Sequence, residues 1–544
     1  MSNQRNKGTA KGRGGMKNWI FIVVTVIIVA GIGATAFGVM KDKDPMARYL
    51  TAEQNTIEKQ MTFLKSQSEQ MEELEELKEK MTESAYYSSS TVTADFNVEE
   101  GAQEFGAMLP MIKGMVSSAK LETEHMMDPG SKETFMALDL LFQGQSLGNA
   151  ELYQNESQAA LKVPFLYEDY FTLPNDQLGE FLRKHGEEAA GMEELPNLAE
   201  YQSATLTADE LNEIAKDYTT TLLKELDKDQ FEMENGVRYE NEKYDKVTLN
   251  LSEKESKDLI KVLLNKLKDD ERIWNLVDAQ MKLNMAAGDV EDGKSVVEDL
   301  EKEVDNIQMP DGFKLEAYLD GDLVAYRDIN FTISHAEAEE SAAISFHTNY
   351  EEKDEAYTSK VAMDVVPSSE DGIFSFRLDE KGEKAEEALH VDHDISFSME
   401  EEGQPSTIGV TLSSVLEGAS SETTFDIIME GAAFAGGPVP ELSGYINTAS
   451  ELDGDKANQN LDVGIDFAME DPMTGPVSGM VELNIITDTE FTDALDFPDL
   501  AETGTVNVME ASDQEMESIM QEIEMNLQKY YMDMFGNFGG LGAF

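Results

Sequence analysis

Gly288-Asp-Val-Glu-Asp-Gly293-Lys294-Ser295 matches the phosphate-loop pattern letter for letter. The chemistry of that pattern is a cradle of backbone N–H groups around nucleotide phosphates, with the lysine reaching the outer ones. Three acids, Asp289, Glu291 and Asp292, stand inside the loop and a helical pattern precedes it. An anion cradle needs the opposite charge after a buried strand, so the segment is expected to be an acidic turn between helices. His390-x-x-His393, with Asp392 and Asp394, has the residue types of a metal site. In an extended chain, positions i and i+3 point to opposite faces, so the two imidazoles do not share one ion. Asp320-Gly321-Asp322 and Asp453-Gly454-Asp455 cluster carboxylates, but neither continues into a calcium loop, and both have the composition of hairpin turns.

Catalysis has little else to draw on. The chain has no cysteine, which removes thiolate nucleophiles, thiolate metal sites and disulfides. It has no G-x-S-x-G elbow and no H-E-x-x-H helix. With 109 Asp and Glu residues, no pair is singled out as a glycosidase-type acid and base. Leu500-Ala-Glu-Thr-Gly504 has the letters of a sorting signal without the hydrophobic segment and basic tail that should follow. The sequence therefore predicts a non-enzymatic protein with no cofactor and no metal.

The elements that position these residues fall into a simple order. Met1 to Lys17 carry Arg5, Lys7, Lys11, Arg13 and Lys17 with no acid, and Asn18 leads into the uncharged run Trp19–Met40. At ~1.5 Å per residue this run reaches about 33 Å, enough to cross a hydrocarbon core as a helix. Its apolar surface includes Trp19, Ile20, Phe21, Val24, Ile28, Ile32, Phe37 and Met40. Basic residues stay on the cytoplasmic side, so the expectation is a single-pass cell-membrane protein, its tail inside and its bulk extracytoplasmic. The competing reading is a signal peptide cut after Ala34-Thr35-Ala36, but the apolar run continues past that site.

From Lys41 onward the chain holds 37 bases against 109 acids, a formal charge of −72, and between Lys384 and Lys529 the only base is Lys456. Such a surface repels nucleic acid and anionic headgroups. It suits high salt or an alkaline medium, where counterions screen self-repulsion. The chain is 41% hydrophobic in clear periodic patterns, which argues for folded structure.

Pro45 to Glu83 reads as one long helix with Leu50, Ile57, Leu64 and Met71 at seven-residue spacing, and with Glu53, Gln60 and Gln67 spoiling the partner seam. Strands follow, including Ser89–Val98, Lys120–Met127, Thr134–Gln143 and Asn149–Val163. Thr207-x-x-Glu210, Ser252-x-x-Glu255 and Ser512-x-x-Glu515 are capping boxes that open helices. From Gly312 the chain alternates again, through Leu323–Ile333, Ile395–Met399, Asp462–Met469 and Ser478–Thr487 among others. The last helix should bury Met516, Ile519, Met520, Ile523, Leu527 and Tyr530 in the carboxyl-terminal domain.

The expected fold class is α+β: an amino-terminal transmembrane helix and a stalk helix, then two curved antiparallel sheets, each packed with helices as a half-barrel. The expected domains are a basic tail (1–17), transmembrane helix (18–40), stalk or juxtamembrane helix (41–84), two α+β ectodomains (85–306 and 307–538) and a frayed tail (539–544).

At Val247–Leu267, Thr205–Leu226, Leu161-Lys-Val-Pro164 and Phe171-Thr-Leu-Pro174 the chain resembles uncharacterised membrane-anchored exported proteins of Gram-positive bacteria. More remotely it resembles the LolA and LppX lipoprotein carriers, although their lipobox cysteine is absent. That resemblance implies a fold able to hold a lipid chain, so the leading expectation is an anchored protein binding a lipophilic ligand or an envelope protein, and the charge excludes a nucleic-acid partner. The alternatives are a structural or sensory surface protein without a small ligand and, third, an acidic-residue hydrolase.

Overall fold

The computed structural model describes residues 44–538 apart from 71, 101–107, 187–192, 200–207, 284–289, 336–340, 354, 369–371, 386–387, 402, 432–438 and 472–474. The expected tail, the Trp19–Met40 segment and Thr207 therefore lie outside the described residues. Among the described residues, no helix is long and apolar enough to cross a membrane.

The chain opens with helices α1 (Pro45–Gln70) and α2 (Glu72–Glu83). Asp44 caps α1, accepting from the Met46 N–H at 3.1 Å, and Pro45 takes the first helical position, where no N–H is needed. Strand β1 (Tyr86–Glu100) follows, then α3 (Met108–Val116) and the meander β2 (Ala119–Asp128), β3 (Glu133–Phe142), β4 (Gln145–Gln154), β5 (Gln158–Val163) and β6 (Tyr167–Pro174). Helices α4 (Leu178–Lys184) and α5 (Ala208–Glu225) lead to β7 (Phe231–Tyr239) and β8 (Glu242–Leu251). Next come α6 (Glu253–Asp269), α7 (Glu271–Leu283) and α8 (Val290–Glu303).

The remaining strands are β9 (Ile307–Gln308), β10 (Phe313–Asp320), β11 (Leu323–His335), β12 (Ser341–Lys353), β13 (Ala356–Pro367), β14 (Ile373–Ala385), β15 (Ala388–Glu401), β16 (Gln404–Glu417), β17 (Ser420–Gly431), β18 (Glu441–Asp453), β19 (Lys456–Asp471) and β20 (Gly475–Phe491). Strand β21 (Thr505–Asn507) and helix α9 (Asp513–Phe538) close the described chain.

All these strands belong to one sheet of 21 strands, which corrects the expectation of two separate sheets. From β10 to β20 each strand pairs antiparallel with the next. The edges that would have bounded two sheets are used up by each other. β1 lies between β20 and β2, and β8 pairs with β10 across the α6–α8 insertion. Pairing satisfies backbone groups that free edges would leave open. β7 ends the order on one side, and β21, parallel to β6, ends it on the other.

The main core lies on one face of β7–β12, under α1, α5 and α6, and includes Tyr49, Leu222, Val247, Leu249, Leu263, Leu315 and Ile329. Helix α1 lies along this sheet. Glu53, which spoils the coiled-coil seam, is 1% exposed there. Arg327 on β11 grips it bidentately, its Nε 2.7 Å from Oε1 and its Nη2 on Oε2. Two Asp-Gly-Asp hairpins hold the helices at either end. Arg48 donates to the Gly321 carbonyl, Asn55 to that of Asp322 at 3.0 Å, and Lys80 to that of Gly454 at 2.6 Å. Gly321 and Gly454 have φ of 62° and 63°, the left-handed conformation such tight turns require.

The capping box at Ser252 forms, with the Ser252 N–H donating to Glu255 Oε2 at 2.8 Å. Helix α9 corrects the expected packing of the carboxyl terminus. Ile519 is buried, but the helix sits against β6: Asn526 donates to the Leu166 carbonyl at 2.9 Å, and the Tyr530 ring lies 4.8 Å from that of Phe165.

Two outcomes are expected. Glu53→Ala strands the Arg327 cation in the core and should cost about 3–5 kcal/mol in urea denaturation, whereas Glu53→Leu with Arg327→Met should recover most of it. The Ser252 hydroxyl, then the Gln230 amide and the Ser252 N–H, hold the Glu255 carboxyl down at about 2. Its stabilisation is present above the ordinary carboxylate range and lost as pH falls through that value. The Tm gap between the parent and Glu255→Gln should therefore shrink between about pH 5 and pH 2.

Candidate functional site

Residues opposite each other in the ladders share a face, so the register can be followed from strand to strand. One face of the sheet carries an uncovered apolar band from β14 through β20 and on to β3. It contains Phe374, Phe376 and Leu378 on β14, Ile395, Phe397 and Met399 on β15, and Ile408, Val410 and Leu412 on β16. It continues through Phe425, Ile427 and Met429 on β17, Leu442 and Ile446 on β18, and Leu461, Val463, Ile465, Phe467 and Met469 on β19. Val481, Leu483 and Ile485 of β20, Val92, Ala94 and Phe96 of β1, Leu121 of β2, and Leu138 and Leu140 of β3 complete it. None of these residues enters a buried cluster. Phe397 and Met399 are 43% and 49% exposed, and Val481 is 43% exposed.

Below the band, strand after strand changes to neutral polar residues before becoming apolar again under the helices. On β20, Ile485 gives way to Thr487 and Thr489 and then to buried Phe491; on β1, Val92 gives way to Ser90 and Ser88 and then to buried Tyr86. These polar residues bond across the ladder. Ser414 lies 3.0 Å from Thr423, Ser421 2.7 Å from Thr448, Ser90 2.8 Å from Thr487, and Ser88 2.7 Å from Thr489. Beyond them Leu77 and Met81 of α2 pack on Tyr86, Met127, Leu452, Ala457 and Phe491.

From β15 to β19 the lower limit of the band leaves the hydrogen-bond rows, and from β19 to β2 it runs level along the row Leu461, Ile485, Val92 and Leu121. The row of Ile395, at its lower limit on β15, meets β19 at Phe467, yet on β19 the band descends to Leu461. Six residues are about 20 Å along a strand and four strand spacings about 19 Å across, a slope of roughly 45°.

The opposite face is acidic and wet. One row runs Lys360, Asp379, Asp394, Thr411, Asp426, Ser443 and Asp466. Lys360 meets Asp379 at 2.9 Å, while Asp379 and Asp394 stand directly opposite as like charges. A depression of about 470 Å³ opens here, walled by Asp379, Asp392, Asp394, Asp426, Thr411 and Ser413 among others. A second, of about 450 Å³, is walled by Ser89, Glu451, Asp453, Asn458, Asp488 and Glu490 among others.

The motifs singled out from sequence take structural places. From Val290 the phosphate-loop look-alike is helix α8, not a turn. A Cβ on Gly293 would come within 2.7 Å of the Trp274 ring, so that glycine allows helix packing. His390 stands opposite Glu383 and His393 opposite Glu380, on the two faces of β15, and His393 Nε2 lies 3.2 Å from Glu380 Oε2. Among the described residues, no group of three or more His, Asp or Glu side chains is placed to hold a metal. Gly504 of the sorting-like segment accepts the Tyr170 N–H at 3.0 Å, just before β21. Sequence reading missed the band because alternation shows a face within one strand only.

No protein-family model and no curated protein matches the chain. Solved structures that match include Acinetobacter baumannii OccAB2 (6% identity, 74% of this chain and 98% of that one, TM-score 0.20). Others are the outer membrane protein OpdK of Pseudomonas aeruginosa (6%, 74% and 98%, TM-score 0.16) and an anion-selective porin from Comamonas acidovorans (7%, 74% and 98%, TM-score 0.16).

The single sheet of 21 strands corrects the resemblance drawn from sequence, being neither the paired half-barrels expected of LolA- or LppX-like carriers nor the expected two-sheet ectodomain of Gram-positive single-pass proteins. With that correction go the anchored binder of a lipophilic ligand, its envelope-protein partner and the single-pass cell-membrane location.

The Asp379–Asp394 opposition gives a direct test. Asp394→Asn should stabilise the protein by about 0.2–1 kcal/mol at low ionic strength, and the gain should vanish in molar salt. The parent Tm should rise over the same salt range.

Proposed function

We propose that the protein is non-enzymatic and that its sheet is a wall between hydrocarbon and water. β14–β20 and β1–β3 meet the acyl region of a membrane through the apolar band, and the acidic face lines a path for small polar solutes, cations preferred. The oblique lower limit of the band between β15 and β19 carries this reading. Strands that cross a bilayer tilt by about 35–45° and alternate apolar and polar residues. A band that is level in a membrane must then run obliquely across the hydrogen-bond rows.

Strand length supports the same reading, since β14–β20 run from 12 to 17 residues and a tilted crossing takes about 9–11. The faces divide as the proposal requires. Carboxylates and hydroxyls gather around the two depressions, and aliphatic and aromatic side chains occupy the reverse side.

The full chain, reconstituted into phosphatidylcholine vesicles, should float with the lipid and give a cation-selective conductance in a planar bilayer. Adjacent substitutions at one depth separate the faces. Ile465→Lys should weaken lipid association by about 2–4 kcal/mol, and Asp466→Lys should leave association intact while lowering cation selectivity. A chain that does not float, or two substitutions with equal effect on flotation, would sink the proposal.

A further inference from the structure

The neutral polar stripe between the band and the helices has a role that the wall alone does not require. It comprises Ser414 on β16, Thr423 and Ser421 on β17, Thr448 on β18, Gln459 on β19, Thr487 on β20 and Ser90 on β1, while Ser88 and Thr489 just below it are buried. Between β16 and β1 the stripe holds no acid and no base, in a chain with 109 acids. It follows the lower limit of the band, descending from Ser414 on β16 to Gln459 on β19 and then running level along the row Gln459, Thr487 and Ser90. Each hydroxyl pair keeps acceptor lone pairs beyond its mutual bond.

We infer that this stripe is the membrane boundary: it meets the ester and headgroup layer of uncharged or zwitterionic lipid, and α1–α2 lie beyond it in water. The inference rests on the wall reading above. Charge fits this placement. Carboxylates against hydrocarbon are costly to desolvate, and hydroxyls bonded to one another are not. Helix α2, EELEELKEKMTE, is strongly acidic, with Glu76 and Glu79 exposed, so it is repelled by anionic headgroups. Leu77 and Met81, its apolar side, are already occupied by the sheet, which leaves only its charged side to face the solvent.

Because the chain has no cysteine, single labels can be placed without background. The full chain carries Ile465→Cys, Thr448→Cys or Lys78→Cys, each labelled with NBD, in phosphatidylcholine vesicles containing lipids spin-labelled either deep in the acyl chain or at the headgroup. The deep quencher should act most on position 465 and the headgroup quencher most on 448, with neither acting on 78. If 465 is quenched deeply and 448 matches it or is untouched, the boundary is elsewhere and the wall reading survives. If 465 is unquenched, the wall reading itself fails. Replacing half the lipid with phosphatidylglycerol should weaken binding several-fold at low salt and restore it in molar salt; tighter binding to the anionic vesicles would overturn the headgroup assignment.

Discussion

Everything in this fold depends on the ladder between β1 and β20. Fourteen residue pairs, from Tyr86 opposite Phe491 to Glu100 opposite Ser478, join segments nearly 400 residues apart. Without it the meander β10–β20 would end on an open edge of long, alternating strands, and β1, with β2–β6 behind it, would be a second open edge. The cost of closing so long a loop grows only slowly, about 0.6 kcal/mol for each doubling, so a ladder of this length repays it. The same ladder places Ser90 against Thr487, and so completes the neutral stripe.

A second constraint is the shortage of positive charge. With 42 bases for 109 acids, most carboxylates have no cation to meet. Neutral donors take that place. The hydroxyl of Tyr326 donates to Glu351 at 2.7 Å, and those of Tyr153, Tyr170 and Tyr357 donate to Glu133, Glu151 and Glu380. A phenol brings an apolar ring and a polar tip together, so one side chain both packs the sheet and satisfies an acid. The scarce cations are used where they fix position. Arg327 holds Glu53, and Arg48 and Lys80 hold the two hairpins that grip the long helices.

The faces of the sheet then follow from where helices are available to cover it. α1, α5 and α6 cover β7–β12, and α2 covers the lower ends of β18–β20, β1 and β2. The apolar band from β14 to β3 lies outside both covered regions. Its oblique course, its neutral margin and the acidic reverse face form one pattern, laid down by successive hairpins with the same order of residue types.

The sequence by itself determined the local elements. The Ser252 capping box, the alternation in Asp462–Met469, the opposition of His390 and His393, and the glycine turns at Gly321 and Gly454 all follow from interactions within a few residues. Tertiary structure alone decided that two expected sheets are one, that Glu53 is buried on Arg327, that α9 packs on β6, and that the band slopes. A period of two says which residues of a strand share a face, but register between strands says which faces join, and a shift of one residue would invert them. That register is set by hairpins and by ladders spanning most of the chain, where no local pattern carries the information.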